Sequence, residues 1–270
     1  MGKETMLIDL CRKVLPIKVR QNLGLWLISQ AAKSKWLLYP YYKLLCGETP
    51  KNLKLLPNSQ CVTSYNGHNI YAPRDGILAF MEVFQDEVYE QIWSIQAGST
   101  VVDIGAYVGM FTIKASDKVG KDGRIYAIEP EPGNLMYLER NTKGIKNIKV
   151  IPAVVGSKNG KGRLYLSSAS PCHTLAYHHK DSIEVDMVTL DSLRIQPDFV
   201  KIDAEGSELE ILKGAEGVIK TGTKFAIACY HDLPEGGNEL NSVVNFLKDR
   251  GYKITIIHKY VFAEKEQEVA

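Results

Sequence analysis

From Gly98 onward, short apolar runs alternate with longer helix-like runs, and this alternation constrains the fold more than any other feature of the chain. "STVVDIG", "GRIYAIEP", "IKVIPAVVG", "DFVKIDAEG", "KFAIACYHD" and "YKITIIH" are strand-like, and "GRLYLSS" and "IEVDMVTLDSL" add two more. Between them lie "GMFTIKASDKV", "PGNLMYLERNTK", "SELEILKGAEGVI" and "NELNSVVNFLKDR", which have helical patterning. Apolar strands separated by helix-length crossovers are βαβ units. They predict an α/β protein with a mostly parallel, doubly wound sheet and helices on both faces. Ser207, with Glu210 three residues on, has the spacing of a capping box at a helix start.

A chain of 270 residues has room for a sizeable core and an appendage. Three segments are expected: a basic helical extension over 1–55, a segment leading into the core over 56–97, and the core over 98–270. The extension carries ten basic and three acidic residues among tryptophans, tyrosines and leucines. Such helices suit a peripheral membrane contact with anionic lipid. They equally suit packing on their own domain or on a second subunit in a homo-oligomer. Five scattered cysteines without a CxxC pair, and no signal-peptide pattern, point to reduced thiols in the cytoplasm. No basic stripe interleaved with aromatics argues for nucleic acid.

In open α/β sheets, ligands sit beyond the carboxyl ends of the strands, where the strand order reverses. The residues there are Asp103, Gly105, Tyr107 and Gly109, then Glu129 and Pro130, then Ala153 and Val154. Asp203 and Glu205 follow, and then Tyr230 and His231. Gly105 and Gly109 allow a sharp turn and close backbone approach to a ligand. Glu129, 24 residues beyond Gly105, stands where an acid accepts hydrogen bonds from a ribose diol. Tyr107 replaces the second glycine of a pyrophosphate loop. A nicotinamide-dependent oxidoreductase is therefore disfavoured, and a nucleoside without phosphates such as S-adenosylmethionine fits better. Asp103 beside the turn suits its methionine end. Asp203 and Glu205, at i and i+2 of extended chain, would face one side. Acids at a helix start are also stabilising without any catalytic role. "CHTLAYHH" matches no structural zinc spacing and reads as a polar loop.

"VVDIGAYVGMFT", "IYAIEPEPGNLMYLERN", "PAVVG", "VTLDSL" and above all "PDFVKIDAEGSELEILKGA" resemble the FkbM family of S-adenosylmethionine-dependent methyltransferases, over roughly residues 80–235. The resemblance implies a class I, Rossmann-like fold with a seven-stranded sheet. It also implies O-methylation of a hydroxyl on a glycan, lipid-linked saccharide or natural product. Matched by position, Asp103, Gly105 and Gly109 fall in the cofactor loop, with Tyr107 where the family carries Asn. Glu129 matches the ribose acid, with Pro130 beside it, and Ala153 and Val154 the adenine wall. Asp86 and Glu87 match a segment that closes over the cofactor, and Asp203 and Glu205 the family's hallmark. His231, Glu205 and Asp203 are the candidate bases, unless Asp203 and Glu205 hold Mg²⁺ and lower the acceptor's pKa. Rival readings are a methyltransferase for a small metabolite, a peptide nitrogen or RNA, and a non-catalytic nucleoside-binding interaction protein.

Overall fold

The computed structural model describes residues 53–84, 86–166, 181–230 and 239–266. They fall into two compact units that meet in sequence between Leu78 and Ala79.

The first unit contains an antiparallel meander of β1 (Lys54–Leu56), β2 (Gln60–Tyr65) and β3 (His68–Pro73). Its second turn is Asn66-Gly67, with φ of 46° and 84°. Two positive-φ residues match the twist of the paired strands, and Asn-Gly adopts them at little cost. Arg74 Nη2 donates to the Leu56 carbonyl at 3.2 Å and ties the meander's ends together. The expected helical extension lies outside the described residues up to residue 52, and β1 begins at Lys54.

The second unit is built on a seven-stranded sheet. Its strands are β4 (Thr100–Ile104), β5 (Arg124–Ile128), β6 (Ile148–Ile151), β10 (Phe199–Ile202), β11 (Lys224–Ala228), β12 (Tyr252–Ile257) and β13 (Tyr260–Lys265). Their spatial order is β12-β13-β11-β10-β4-β5-β6. The run from β11 through β6 is parallel, and β13 is antiparallel to both of its neighbours. The order reverses between β4 and β10, which places the ligand crevice of such a sheet at their carboxyl ends.

Burial follows the period of two. Val102 and Ile104 of β4 and Val200 and Ile202 of β10 join one large apolar cluster. That cluster takes in Ile211 and Leu212 of α4 (Glu208–Lys213), Val218 and Ile219 of α5 (Glu216–Lys220) and Val243 and Leu247 of α6 (Glu239–Lys248). Phe199 points to the other face and stacks on Phe111 of α2 (Met110–Val119), with ring centroids 6.2 Å apart. Leu138 of α3 (Pro132–Thr142) packs with Ala106 and Ala127. The remaining helix, α1 (Ile77–Phe84), spans the junction between the units in sequence.

Three local expectations change. The chain does not end on "YKITIIH": β13 follows it across a His258-Lys259 turn with φ of 48° and 72° and inserts between β12 and β11. "SELEILKGAEGVI" is two helices, because a Cβ at Gly214 would sit 2.1 Å from the Gly156 carbonyl oxygen, so another loop packs on the backbone there. The capping box does not form. Ser207 makes no side-chain cap, while Glu210 bonds Ser157 at 2.7 Å and Lys213 at 2.6 Å. Beside the main sheet, β8 (Gly160–Leu166) pairs antiparallel with β9 (Asp181–Val188), and β7 (Val154–Val155) runs parallel to β9. The "CHTLAYHH" segment joining β8 to β9 is outside the described residues.

Candidate functional site

At the switch point, register sets β4 and β10 side by side, with Asp103 opposite Lys201 and Ile104 opposite Ile202. Asp103 and Lys201 therefore share the α2 face. Asp103 is fully buried: its Oδ1 lies 3.1 Å from Lys201 Nζ, and its Oδ2 accepts from the Thr112 hydroxyl at 2.6 Å. These contacts tie it to β10 and to the start of α2. Lys201 Nζ also donates to the carbonyls of Gly105 at 2.6 Å and Ile104 at 3.3 Å. Burial pulls the ammonium's pKa down, but Asp103, Asp203 and Glu129 outweigh that effect and hold it above its ordinary value.

The two glycines of the first loop let other parts of the chain approach the backbone closely. A Cβ on Gly105, at φ 73°, would meet the Asp203 carbonyl oxygen at 1.9 Å, and one on Gly109, at φ 89°, would meet Leu138 at 2.7 Å. Both absences are filled by the chain itself. Tyr107 sits at φ 52°, a region Asn and Gly enter more easily, and donates its N–H to Glu129 Oε2 at 2.9 Å. Glu129 Oε1 accepts from the Glu131 N–H at 3.1 Å and from the Asn134 amide at 3.3 Å. Burial pushes Glu129 up to about 7, against the downward pull of those donors and of Lys201. A carboxylate oxygen accepts more than one hydrogen bond, so Oε2 has capacity left for a ribose hydroxyl. On this donor set, the residues present fit a nucleoside.

On the other side of β4, Asp203 accepts from Tyr89 at 2.6 Å through Oδ2 and from Tyr230 at 3.0 Å through Oδ1. Burial, and then the Asp203 charge, hold both phenols well above their usual range, so they remain donors. The strand ends at Ile202, and Glu205 takes φ 53°, so the extended i, i+2 geometry expected for the two acids is not formed. They still act on common neighbours. Burial, followed by the charges of Asp203, Glu205 and Asp86, pushes Glu82 of α1 up to about 8, against Lys201.

Glu82, Tyr89 and Lys201 belong to this constellation, and the sequence reading did not single them out. For Lys201 a signal existed: a charge inside an otherwise apolar buried strand needs partners. Glu82 is brought in by the placement of α1. Glu87 pairs with Lys114 at 2.8 Å, as does Glu90, and Lys114 also donates to the Val83 carbonyl at 2.8 Å. Asp86 is exposed, and Pro130 is half-buried. Ala153 is buried, and Val154 is spent in an apolar cluster with Leu164 and Val185. His231 lies outside the described residues. Among the described residues, no three His, Cys, Asp or Glu side chains are placed to hold a metal ion. Asp203 and Glu205 therefore have no third such ligand beside them among those residues, and this pair alone does not make up a metal-binding set.

Comparison with known proteins places the fold. A structure of the FkbM methyltransferase of Methylobacillus flagellatus KT matches 92% of this chain and 58% of that one, with a TM-score of 0.51 and 18% identity, and shows the same fold. Aeropyrum pernix fibrillarin in complex with natively bound S-adenosyl-L-methionine has a TM-score of 0.47 and 15% identity, over 84% of this chain and 85% of that one. A probable cobalt-precorrin-6B C(15)-methyltransferase (decarboxylating) of Saccharolobus solfataricus is 33% identical over 84 residues, 28% of this chain. The chain covers 42% of that relative and 58% of the Methylobacillus chain, less than two thirds of either. The family described as the methyltransferase FkbM domain matches residues 103–254, more than half of the sequence, and the chain belongs to that family.

Proposed function

We propose that this chain transfers a methyl group from S-adenosylmethionine to a hydroxyl of a small acceptor, a saccharide or lipid-linked saccharide being the class its family resemblance favours. The observation that carries the reading is Glu129. Its buried carboxylate ends β5 beside the 105–109 loop and keeps acceptor capacity where a ribose diol would lie. Asp103 acts through the loop, and Pro130 and Ala153 lie along the same edge.

S-adenosylmethionine brings a methyl group already activated on a sulfonium, so the protein's tasks are alignment and removal of one proton from the acceptor. Tyr89 and Tyr230 fix the Asp203 carboxylate from two sides, which suits it to orient an acceptor hydroxyl. Glu82 keeps its proton to about pH 8 and takes one readily above that, which makes it a base candidate beside Glu205 and His231. Peripheral membrane contact through residues 1–55 belongs to the same proposal. Liposome co-sedimentation that falls with salt and vanishes on their deletion would support it; sedimentation indifferent to both would reject it.

The deciding experiment is calorimetric titration of S-adenosylmethionine and its demethylated product into wild type and Glu129→Ala. Wild type should bind both, with affinity reduced by about tenfold or more in the variant, the cost of losing a charged acceptor. Methyl transfer to a panel of saccharide hydroxyls then tests the acceptor. A folded wild type that binds neither compound would overturn the methyltransferase reading in favour of an interaction protein.

A further inference from the structure

Every residue of β10 is buried, including Lys201, which is 4% exposed. A lysine there is costly, and a single ion pair seldom repays its desolvation. Lys201 makes more than that. Besides Asp103, its Nζ engages the carbonyls of Ile104 and Gly105, the last residue of β4 and the first of the loop. The same ammonium lies 5.3 Å from the centre of the Tyr89 ring, whose hydroxyl holds Asp203.

We propose that Lys201 is a positioning residue for the cofactor. One buried ammonium fixes the loop after β4 against the Asp203 end of β10, and so holds the cofactor side and the acceptor side of the site in register. This rests on the methyltransferase reading above.

Three observations favour this over a packing role. The lysine donates to the Gly105 carbonyl of the turn, which a neutral side chain of equal volume would leave without that donor, and it adds to the Asp203 N–H on the Ile104 carbonyl. Asp103 is anchored twice, to Lys201 and to Thr112 at the start of α2, so the ammonium links β4, β10 and α2. Finally, the ionisable groups around it are Asp103 on β4, Glu129 after β5, Asp203 after β10, and Glu82 and Tyr89 from the α1 side. Apart from the Tyr89 phenol, all of these are carboxyls. Lys201 adds to the Glu131, Tyr107 and Asn134 hydrogen bonds that hold Glu129 down and also opposes the rise of Glu82, so without it both would keep their protons to higher pH.

The test is S-adenosylmethionine titration between about pH 6 and 9 on wild type, Lys201→Met and Lys201→Arg, with circular dichroism reporting the fold. Lys201→Met should bind about ten- to a hundredfold more weakly at pH 7. The pH at which binding is half lost should also rise, because Glu129 no longer faces a cation. Lys201→Arg should keep the wild-type midpoint even where its affinity falls. If Lys201→Met does not fold, Lys201→Gln is read in the same way. A folded neutral variant with an unmoved midpoint, or an arginine variant displaced as far as the neutral one, would overturn the inference and leave Lys201 a packing residue. Wild type that binds while a neutral variant matches it rejects this inference alone. Wild type that fails to bind rejects the methyltransferase reading, and this inference with it.

Discussion

A single absent atom group does much at Gly105. At φ 73°, with the Asp203 carbonyl oxygen 1.9 Å from where a Cβ would stand, the residue meets both a conformational and a steric bar. Gly120 has a similar φ of 68° with nothing within 4 Å, so it meets the first bar alone. Its ψ of −165° lies in a region that essentially only glycine enters, so Gly120→Ala should cost about 1–3 kcal/mol from backbone strain alone. Gly105→Ala should cost about 3 kcal/mol or more in urea unfolding, and should weaken S-adenosylmethionine binding because β4 and β10 must part. Equal losses at the two positions would mean that the close approach is not what fixes Gly105. Glu129 gives a second residue-scale test. Raised to about 7 by burial, it is mostly protonated below that value, and a ribose diol needs an acceptor. Cofactor affinity should fall as pH drops through about 7, and Glu129→Gln should abolish the dependence while binding weakly throughout. A wild-type affinity flat across that range would contradict this.

Elements show where sequence patterning informs and where it stops. β4, β5, β10 and β11 were legible because each is buried on both faces and bounded by glycine or a turn. β13 was not, since His258-Lys259 is not a pair that announces a two-residue turn, although both residues take positive φ. The cap of the α4–α5 region was misassigned for a related reason: spacing alone proposes Ser207 with Glu210, but tertiary neighbours supply better partners. Glu210 is drawn off to Ser157 and Lys213. Acceptors distant in sequence serve both helices instead: Glu239 accepts from the Glu208 N–H of α4 at 3.3 Å, and Asp191 of a 3₁₀ turn accepts from the Gly217 and Val218 N–H groups of α5 at 2.8 and 3.0 Å. Asp191→Ala should thus destabilise by about 1 kcal/mol and Ser207→Ala by less than about half of that. Denaturant midpoints would read both, and the reverse order would restore the capping box. Glu82 marks the limit of such reading, because its importance arises only when α1 is brought to the ends of β4 and β10, whereas Lys201 is already signalled as a charge in an apolar strand.

On the scale of the whole molecule, the two acids raised above their ordinary values oppose the exposed ones. Glu87, Glu210 and Glu216 are each held below the usual carboxylate range, first of all by hydrogen bonds to Lys114, Lys213 and Arg250. Such groups bind fewer protons folded than unfolded near pH 4, so their contribution is present above about pH 4.5 and lost as pH falls below it. All three are largely exposed, with side chains 54%, 51% and 42% accessible, so each contributes little. Glu82 and Glu129 run the other way. Between their ordinary 4.5 and their folded values of about 8 and about 7, the folded chain holds protons that the unfolded chain has released. Unfolding free energy must therefore fall as pH rises through that interval, by a few kcal/mol from the pair together. The ligand-free protein should be most stable near about pH 5 and weaker at about pH 8. Urea unfolding of wild type against Glu82→Gln/Glu129→Gln would show it: the variant, with no charge to bury, should lose the slope between those limits. Saturating S-adenosylmethionine should also flatten the wild-type slope, since a ligand that favours ionised Glu129 repays at high pH what burial cost there. A wild-type slope that survives in the double variant would place the pH sensitivity elsewhere and remove Glu82 from the candidate bases.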